Sequence, residues 1–411
     1  MLNIHYHTHT LDNGLKVIIH QDHALPKAVV NILYRVGSKD EEPEKTGFAH
    51  LFEHLMFEGS KNIEHYDVHL QRVGGENNAF TSCDLTNYYL TVPSNQLETA
   101  FWLESDRMLE LGFSEDRLAN QKKVVIEEFK QRYLNQPYGD AMNLLRGLHF
   151  TQHPYNWATI GKEIAHIEEA TLDYVKEFFY GYYAPNNAVM VVAGDVQIDE
   201  VIDLAQKWFG DIPHRTLKKH EIPAEPKQTS ARFMTHKADV PFIGVYKMFH
   251  IPAHGEREYY ITDILTDILS AGKSGKLYQS LVITQQICTS AQAFVWGMLD
   301  PGALSINAQL AEGQTIEAYE AALRAEIEAL QGLEEADLQR IKNKLAAMFV
   351  MEKTQLLSKA MALAFCENIG DIELVNRTPD LYQAITLEEV KAAAARFLAA
   401  ENSSTLYYLP L

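Results

Sequence analysis

The sequence has few cysteines, no long apolar run and no recognisable export signal. Its 411 residues include three scattered cysteines, so neither a disulfide framework nor a paired Cys-x-x-Cys zinc site is expected, and a reducing compartment fits. No run of 18 apolar residues could cross a membrane, and the N-terminus lacks the basic and apolar regions of a signal peptide. We therefore expect a cytoplasmic protein without membrane association, or a periplasmic one if a leader has been removed.

Basic residues are also in deficit. The chain has 36 Lys and Arg against 55 Asp and Glu, which gives a formal net charge of −19 at pH 7. A surface of this sign repels phosphate backbones and anionic lipids, so we expect no nucleic-acid or membrane partner. Hydrophobic residues make up 46% of the chain, as in ordinary globular proteins, and the length predicts two or three domains.

One apolar stretch concentrates residue types that bind metals. Residues 47–57 contain no proline and follow the turn-like segment 40–43, which predicts a helix. His50 and His54 are four residues apart and would share one helix face, so both imidazoles could bind one zinc ion. Glu53 would lie close enough to take a proton from a metal-bound water. The order His-x-x-Glu-His is the inverted zinc-peptidase motif; solvated or capping histidines are the alternative.

The rest of the chain predicts alternating strands and helices in two similar halves. Residues 171–176 match residues 386–391 at an offset of 215 (386 minus 171), and Asn187 then aligns with Asn402 without a gap. An internal duplication explains this better than two unrelated helix–strand pairs. We predict an N-terminal zinc-binding half, a Pro-rich and charged linker, and a C-terminal half without a metal site, at residues 1–210, 211–230 and 231–411.

A third zinc ligand is expected on the predicted helix 114–134. Glu127 and Glu128 are adjacent there, so a helix points them about 100° apart and only one can face the metal. The flanking residues do not decide between them. A solvated helix position is the alternative for either residue.

These segments together resemble the pitrilysin/insulinase family of zinc peptidases, in particular its short-subunit type such as mitochondrial processing peptidase. The resemblance covers nearly the whole chain and rests on residues 50–54, 74–81, 124–128 and 183–195. It implies an α+β fold of two homologous halves, each with an antiparallel sheet flanked by helices. It also implies that the halves enclose a chamber, which would admit peptides and unfolded segments.

The resemblance also implies roles for individual residues around the metal. One Zn²⁺ per chain would be bound by His50, His54 and Glu127, with Glu53 as the general base. Many family members carry a second Glu seven residues before the ligand Glu. This chain has Asn120 at that position, which can donate or accept a hydrogen bond but carries no charge.

A substrate-binding strand is implied at residues 78–80. By the resemblance, Asn78 and Ala79 would pair with the backbone of a peptide substrate as an added β-strand, and Phe80 would line the cleft. A turn residue at Asn78 and a core aromatic at Phe80 are the alternatives.

The second half departs from the family pattern. Complete members contribute an Arg and, seven residues later, a Tyr that can donate hydrogen bonds to the oxyanion and substrate. The corresponding positions here are Val282 and Thr289, and Lys276 or Tyr278 could replace them only at a different spacing. The resemblance therefore implies a heterodimer in which a homologous subunit supplies both donors, with a homodimer as the alternative.

The sequence thus predicts a zinc-dependent endopeptidase that hydrolyses peptides or short unfolded segments. One alternative is a non-catalytic scaffold or assembly subunit of the same family, although such subunits usually lose the metal motif. A metal-dependent hydrolase of other substrates is a further alternative, against which the implied substrate strand argues.

Overall fold

Strands and helices alternate along the N-terminal half of this computed structural model, which describes residues 3–218 and 221–411. The strands of that half are β1 (His7–Thr10), β2 (Lys16–Gln21), β3 (Lys27–Tyr34), β4 (Glu76–Thr81), β5 (Thr86–Pro93) and β6 (Ala188–Gly194). Its helices are α1 (Phe48–Leu55), α2 (Tyr66–Arg72), α3 (Leu97–Leu109), α4 (Glu115–Phe129), α5 (Ala141–His149), α6 (Ile164–Glu168), α7 (Leu172–Tyr182) and α8 (Ile198–Phe209).

The C-terminal half continues the same mixture, which confirms the predicted α+β class. Its strands are β7 (Arg232–Ala238), β8 (Gly244–His250), β9 (Cys288–Trp296), β10 (Ala303–Leu310) and β11 (Ser403–Pro410). Its helices are α9 (Arg257–Ser270), α10 (Ile316–Ala329), α11 (Glu335–Glu352), α12 (Leu356–Ile369), α13 (Leu374–Gln383) and α14 (Leu387–Phe397). Among the described residues, no helix has the length and apolar character that crossing a membrane requires.

Each half contributes a sheet, and five strands of the first sheet are arranged like the five strands of the second. The first has the strand order β1-β2-β6-β3-β5-β4 and the second β7-β11-β8-β10-β9. In both, one pair is parallel, β2 with β6 and β7 with β11, and the other pairs are antiparallel. The sheets are therefore mostly antiparallel, and removing β1 from the first makes the two orders equivalent.

The capping of equivalent helices follows the same repeat. Thr171 caps α7 by accepting a hydrogen bond from the Tyr174 amide, and Thr386 caps α14 in the same way. Asn187 and Asn402 each donate 2.8 Å hydrogen bonds from Nδ2 to the carbonyl oxygen five residues earlier. The predicted duplication is thus present in side-chain detail as well as in strand order.

The compact units of the structure differ from the predicted domains. Unit 1 contains residues 1–129, 157–222 and 350–376, and unit 2 contains residues 130–156, 223–349 and 377–411. The boundary at 222/223 falls inside the predicted linker 211–230, of which residues 219 and 220 lie outside the described residues. A single cut of the sequence at that linker is nevertheless wrong, because each unit also contains a segment from the other half.

The segments that each unit takes from the other half, residues 350–376 and 130–156, contain the helices that cover the sheets. In unit 1, α12 packs on β3 and β6, and in unit 2, α5 packs on β8 and β11. The two helices begin 215 residues apart (356 minus 141), so they are the same element of the repeat. The core between α12 and the first sheet is apolar and buried, and includes Ile18, Val29, Leu33, Val189, Val191, Ala360, Leu363 and Ala364.

Candidate metal centre

Helix α1 has an apolar face that is buried inside unit 1 and a polar face that carries the candidate site. Phe48, Leu51, Phe52 and Leu55 are buried, and the Phe52 ring stacks on Tyr183 at a centroid distance of 4.8 Å. This stripe fixes the rotation of the helix about its axis. The histidines and Glu53 therefore lie on the side that faces β4 and α4.

His50 and His54 converge with one carboxylate. Nε2 of His50 is 3.2 Å from Oε2 of Glu128, and Nε2 of His54 is 3.5 Å from the same oxygen. Among the described residues, three or more side chains of metal-binding type come together only in this group. The structure thus brings both predicted histidines into one cluster in unit 1.

The acidic member of that cluster is Glu128, so the assignment of Glu127 is wrong by one residue. Glu127 is exposed on α4, whereas Glu128 is partly buried and reaches both histidines. The buried positions of α4 are Leu118, Val125 and Phe129, and Glu128 lies three residues from Val125 on that side. Val124 is 47% exposed and lies on the same side as Glu127.

Because the acidic residue of the cluster is Glu128, the position seven residues before it is 121 and not 120. Asn120 is exposed, and Gln121, which is seven residues before Glu128, lies beside His54 instead. Nε2 of Gln121 donates a hydrogen bond to Glu58, the residue four positions after His54. Gln121 is therefore the uncharged residue that supports this side of the cluster.

Glu53 is held next to the cluster by a hydroxyl group from the sheet. Oγ1 of Thr81, the last residue of β4, donates a 2.6 Å hydrogen bond to Oε2 of Glu53. The same carboxylate oxygen is 3.5 Å from Nδ1 of His50. Sequence reasoning missed Thr81, although its position at the end of the proposed substrate strand was a usable signal.

The titration of the cluster reflects its two carboxylates. Burial favours neutral His50, but hydrogen bonds with Glu128 and Glu53 outweigh it and raise the pKa of His50 to about 9. Burial and the charge on His50 lower the pKa of His54. Burial opposes ionisation of Glu53, yet hydrogen bonds from His50 and Thr81 lower its pKa below the ordinary value. The carboxylates thus favour a positive charge between them.

The donor set fits a zinc ion. Two imidazoles and one carboxylate form a ligand set of catalytic zinc sites, which keep a fourth position open. Tetrahedral ligands about 2.0–2.1 Å from zinc lie about 3.3 Å from one another. The observed separations of 3.2 and 3.5 Å agree with that value.

The segment expected to bind substrate forms the edge of the first sheet. β4 pairs with β5 on one side, with Asn78 opposite Tyr89 and Ala79 opposite Tyr88, and the strand order ends at β4. Asn78 lies inside β4 and not in a turn, and its side chain accepts a 2.8 Å hydrogen bond from the Ala79 amide. Phe80 is half-buried and packs edge-on against Phe365 of α12.

The residues at the Arg and Tyr positions of the second half have local roles in unit 2. Val282 packs against the unit 2 core, and the Thr289 hydroxyl donates to the Gln309 carbonyl at 3.2 Å. Lys276 forms a 3.4 Å ion pair with Asp337. Val282 and Thr289 are thus each in contact with other residues of unit 2.

Both halves of the chain match models of one peptidase family. Residues 16–145 match the family described as Insulinase (Peptidase family M16), and residues 169–345 match the Peptidase M16 inactive domain. Zinc protease PqqE of Helicobacter pylori is 31% identical over 371 residues, which cover 88% of this chain and 80% of the relative. The uncharacterized zinc protease ML0855 of Mycobacterium leprae is 27% identical over 400 residues, 95% of this chain and 88% of the relative.

Solved structures agree with the fold. A protease from Helicobacter pylori superposes with a TM-score of 0.93 at 28% identity, covering 99% of this chain and 100% of that one. The periplasmic protease PqqL of Escherichia coli superposes with a TM-score of 0.78 at 18% identity, covering 99% of this chain but only 48% of PqqL. With the inverted motif and the duplicated sheets, these similarities show that the chain belongs to peptidase family M16.

Proposed function

We propose that this chain is a zinc endopeptidase that hydrolyses peptides or short unfolded segments. The observation that supports this most directly is the convergence of His50, His54 and Glu128 beside Glu53. These residues would hold one zinc ion, which would supply Lewis-acid activation of a water molecule and of the scissile carbonyl. Relatives named zinc proteases support the same metal.

Glu53 is the general base in this proposal. A glutamate carboxylate is ionised at neutral pH, so Glu53 can accept a proton from the attacking water. The same carboxyl group then returns the proton to the leaving amine. Thr81 holds the accepting oxygen in place through its 2.6 Å hydrogen bond.

Edge strand β4 is the proposed binding site for the substrate backbone. A sheet edge offers backbone N–H and C=O groups to which an extended peptide can add as a further strand. Asn78 and Ala79 lie on that edge, and the hydroxyl of Thr81 links the end of the strand to Glu53. An extended peptide bound there would therefore pass close to the base.

We further propose that a second, homologous subunit completes the active site. The positions expected to carry oxyanion donors are Val282 and Thr289, and one lost donor typically costs about 10²–10³ in rate. PqqL, of which this chain matches about half, is an example of a longer chain with this fold. A homodimer is the alternative. The three scattered cysteines favour the cytoplasm as the location of this protein.

The test is to assay the purified chain alone, with bound zinc confirmed by elemental analysis, against a fluorogenic peptide library. Zinc-loaded protein that cleaves peptides only with a copurifying homologue supports the full proposal. Robust cleavage by the chain alone would remove the heterodimer. Zinc-loaded protein that stays inert with every copurifying partner would favour the non-catalytic subunit.

A further inference from the structure

A fully buried carboxylate lies at the start of the helix that carries both histidines. Glu41 has no exposed surface, although it belongs to the polar segment before α1. Its Oε2 accepts hydrogen bonds from the Gly47 amide at 2.9 Å and from Nε1 of Trp157 at 3.1 Å. Its Oε1 accepts one from the Ala49 amide at 2.8 Å. Each carboxylate oxygen is therefore bound by the protein.

These contacts replace the ordinary N-terminal cap of α1. The N-cap residue is Gly47, which has no side chain to accept the first-turn amides. Its φ of +88° and the Ile160 carbonyl, 2.5 Å from where a Cβ would lie, both require glycine. A polar cap residue therefore cannot stand at this position, and Glu41 supplies the missing acceptor from six residues earlier.

Burying this carboxylate is costly, which indicates a specific use. Burial raises the pKa of Glu41 to about 8, against the opposing effect of the hydrogen bonds from Ala49, Gly47 and Trp157. An apolar residue here would avoid the desolvation cost but would leave buried amides without an acceptor. The positive end of the α1 dipole also favours a negative charge at this place.

We propose that Glu41 is a positioning residue for the metal centre, which it affects by fixing the first turn of α1. His50 immediately follows Ala49, whose amide Glu41 binds, and its ring must stay 3.2 Å from Glu128 on a different helix. A looser first turn would move His50 relative to α4 while leaving the ligands themselves unchanged. This inference rests on the proposed zinc site and not on peptide cleavage.

The test compares Glu41→Gln with two control variants. Gln keeps the shape but has one acceptor oxygen, and its amide group would point N–H donors at the backbone amides. Trp157→Phe removes one donor and keeps both contacts to α1. Leu363→Ala lowers stability in the core under α12, far along the chain from α1.

Three measurements separate positioning from general destabilisation. In apo protein, we expect Glu41→Gln to speed hydrogen exchange at the first-turn amides of α1. Its zinc affinity, measured by chelator competition, should fall about 10–100-fold, as typical for residues that support metal ligands. The visible spectrum of the Co²⁺-substituted protein should also change. Trp157→Phe and Leu363→Ala should keep the wild-type affinity and spectrum.

A folded Glu41→Gln protein with wild-type zinc affinity and Co²⁺ spectrum would overturn the inference. So would an equal loss of affinity in Leu363→Ala at a matched loss of melting temperature. If Glu41→Gln does not fold, Glu41→Asp provides the same comparison, because its shorter side chain cannot reach both amides. A wild-type chain that binds zinc yet cleaves no peptide would refute the proposed catalysis and leave this inference standing.

Discussion

Replacing Glu128 and Glu127 separately gives the sharpest test of the metal centre. Glu128→Gln and Glu127→Gln make the same change in charge at adjacent positions of α4. Only Glu128 reaches the two imidazoles, at 3.2 and 3.5 Å. Mutating a residue that supports a metal ligand typically lowers metal affinity about 10–100-fold, and mutating the ligand itself should lower it further. We therefore expect Glu128→Gln to weaken zinc binding at least about 100-fold, or about 2.8 kcal/mol.

The matched variant Glu127→Gln should change zinc affinity less than about threefold, because its side chain is exposed and lies outside the cluster. Both affinities can be measured by competition with a chromophoric chelator and checked by metal content after dialysis. Circular dichroism establishes that each variant is folded. If Glu127→Gln loses zinc and Glu128→Gln retains it, the placement of α4 in the site is wrong. Small effects in both would mean that zinc binds elsewhere.

Three further predictions concern the base, its hydroxyl partner and a buried imidazole pair. Glu53→Gln should retain zinc while peptide turnover falls about 10²–10⁴-fold, and residual activity within tenfold of wild type would exclude Glu53 as the base. Thr81→Val should lower kcat about tenfold without loss of zinc, whereas Thr81→Ser should keep the wild-type kcat, because the 2.6 Å hydrogen bond to Glu53 needs only the hydroxyl group. An equal kcat for Thr81→Val and the wild type would contradict this prediction. In unit 2, the His250 ring stacks on the His149 ring at a centroid distance of 3.6 Å, and burial lowers the pKa of His250 to about 4. The contribution of neutral His250 to the free energy of unfolding is therefore complete above about pH 6.5 and is lost as the pH falls toward 4. The loss of stability is about 3 kcal/mol by pH 4 and can be measured by urea unfolding between pH 7 and pH 4. His250→Phe should make the free energy of unfolding depend less steeply on pH, and an unchanged pH dependence would refute this prediction.

The local elements of the site could be predicted from the sequence, because short-range patterns specify them. The spacing of His50 and His54 predicted a common helix face, and in the structure both side chains reach Glu128 from α1. β7 is hard to predict from the sequence because its side chains alternate between exposed and half-buried positions and none is fully buried. Such an edge strand has little hydrophobic signal.

The choice between adjacent residues needed tertiary information. Glu127 and Glu128 differ only in the direction that each takes from the helix axis, and Glu127 was chosen on the family resemblance because the flanking residues did not decide between the two. The stripe of Leu118, Val125 and Phe129 would have indicated the right one. Glu41 could not be found from periodicity at all, since it acts on α1 from a preceding turn through backbone amides.

The placement of α5 and α12 has a consequence for fragments of this protein. A protease cut within residues 211–230 would leave β3 and β6 on one fragment and α12, which covers them, on the other. The reverse holds for α5 and the sheet of β8 and β11. Neither fragment should therefore be stable by itself, and the nicked chain should stay together until it is denatured. Mixed after separate expression, the two fragments should reconstitute the zinc site only as a pair.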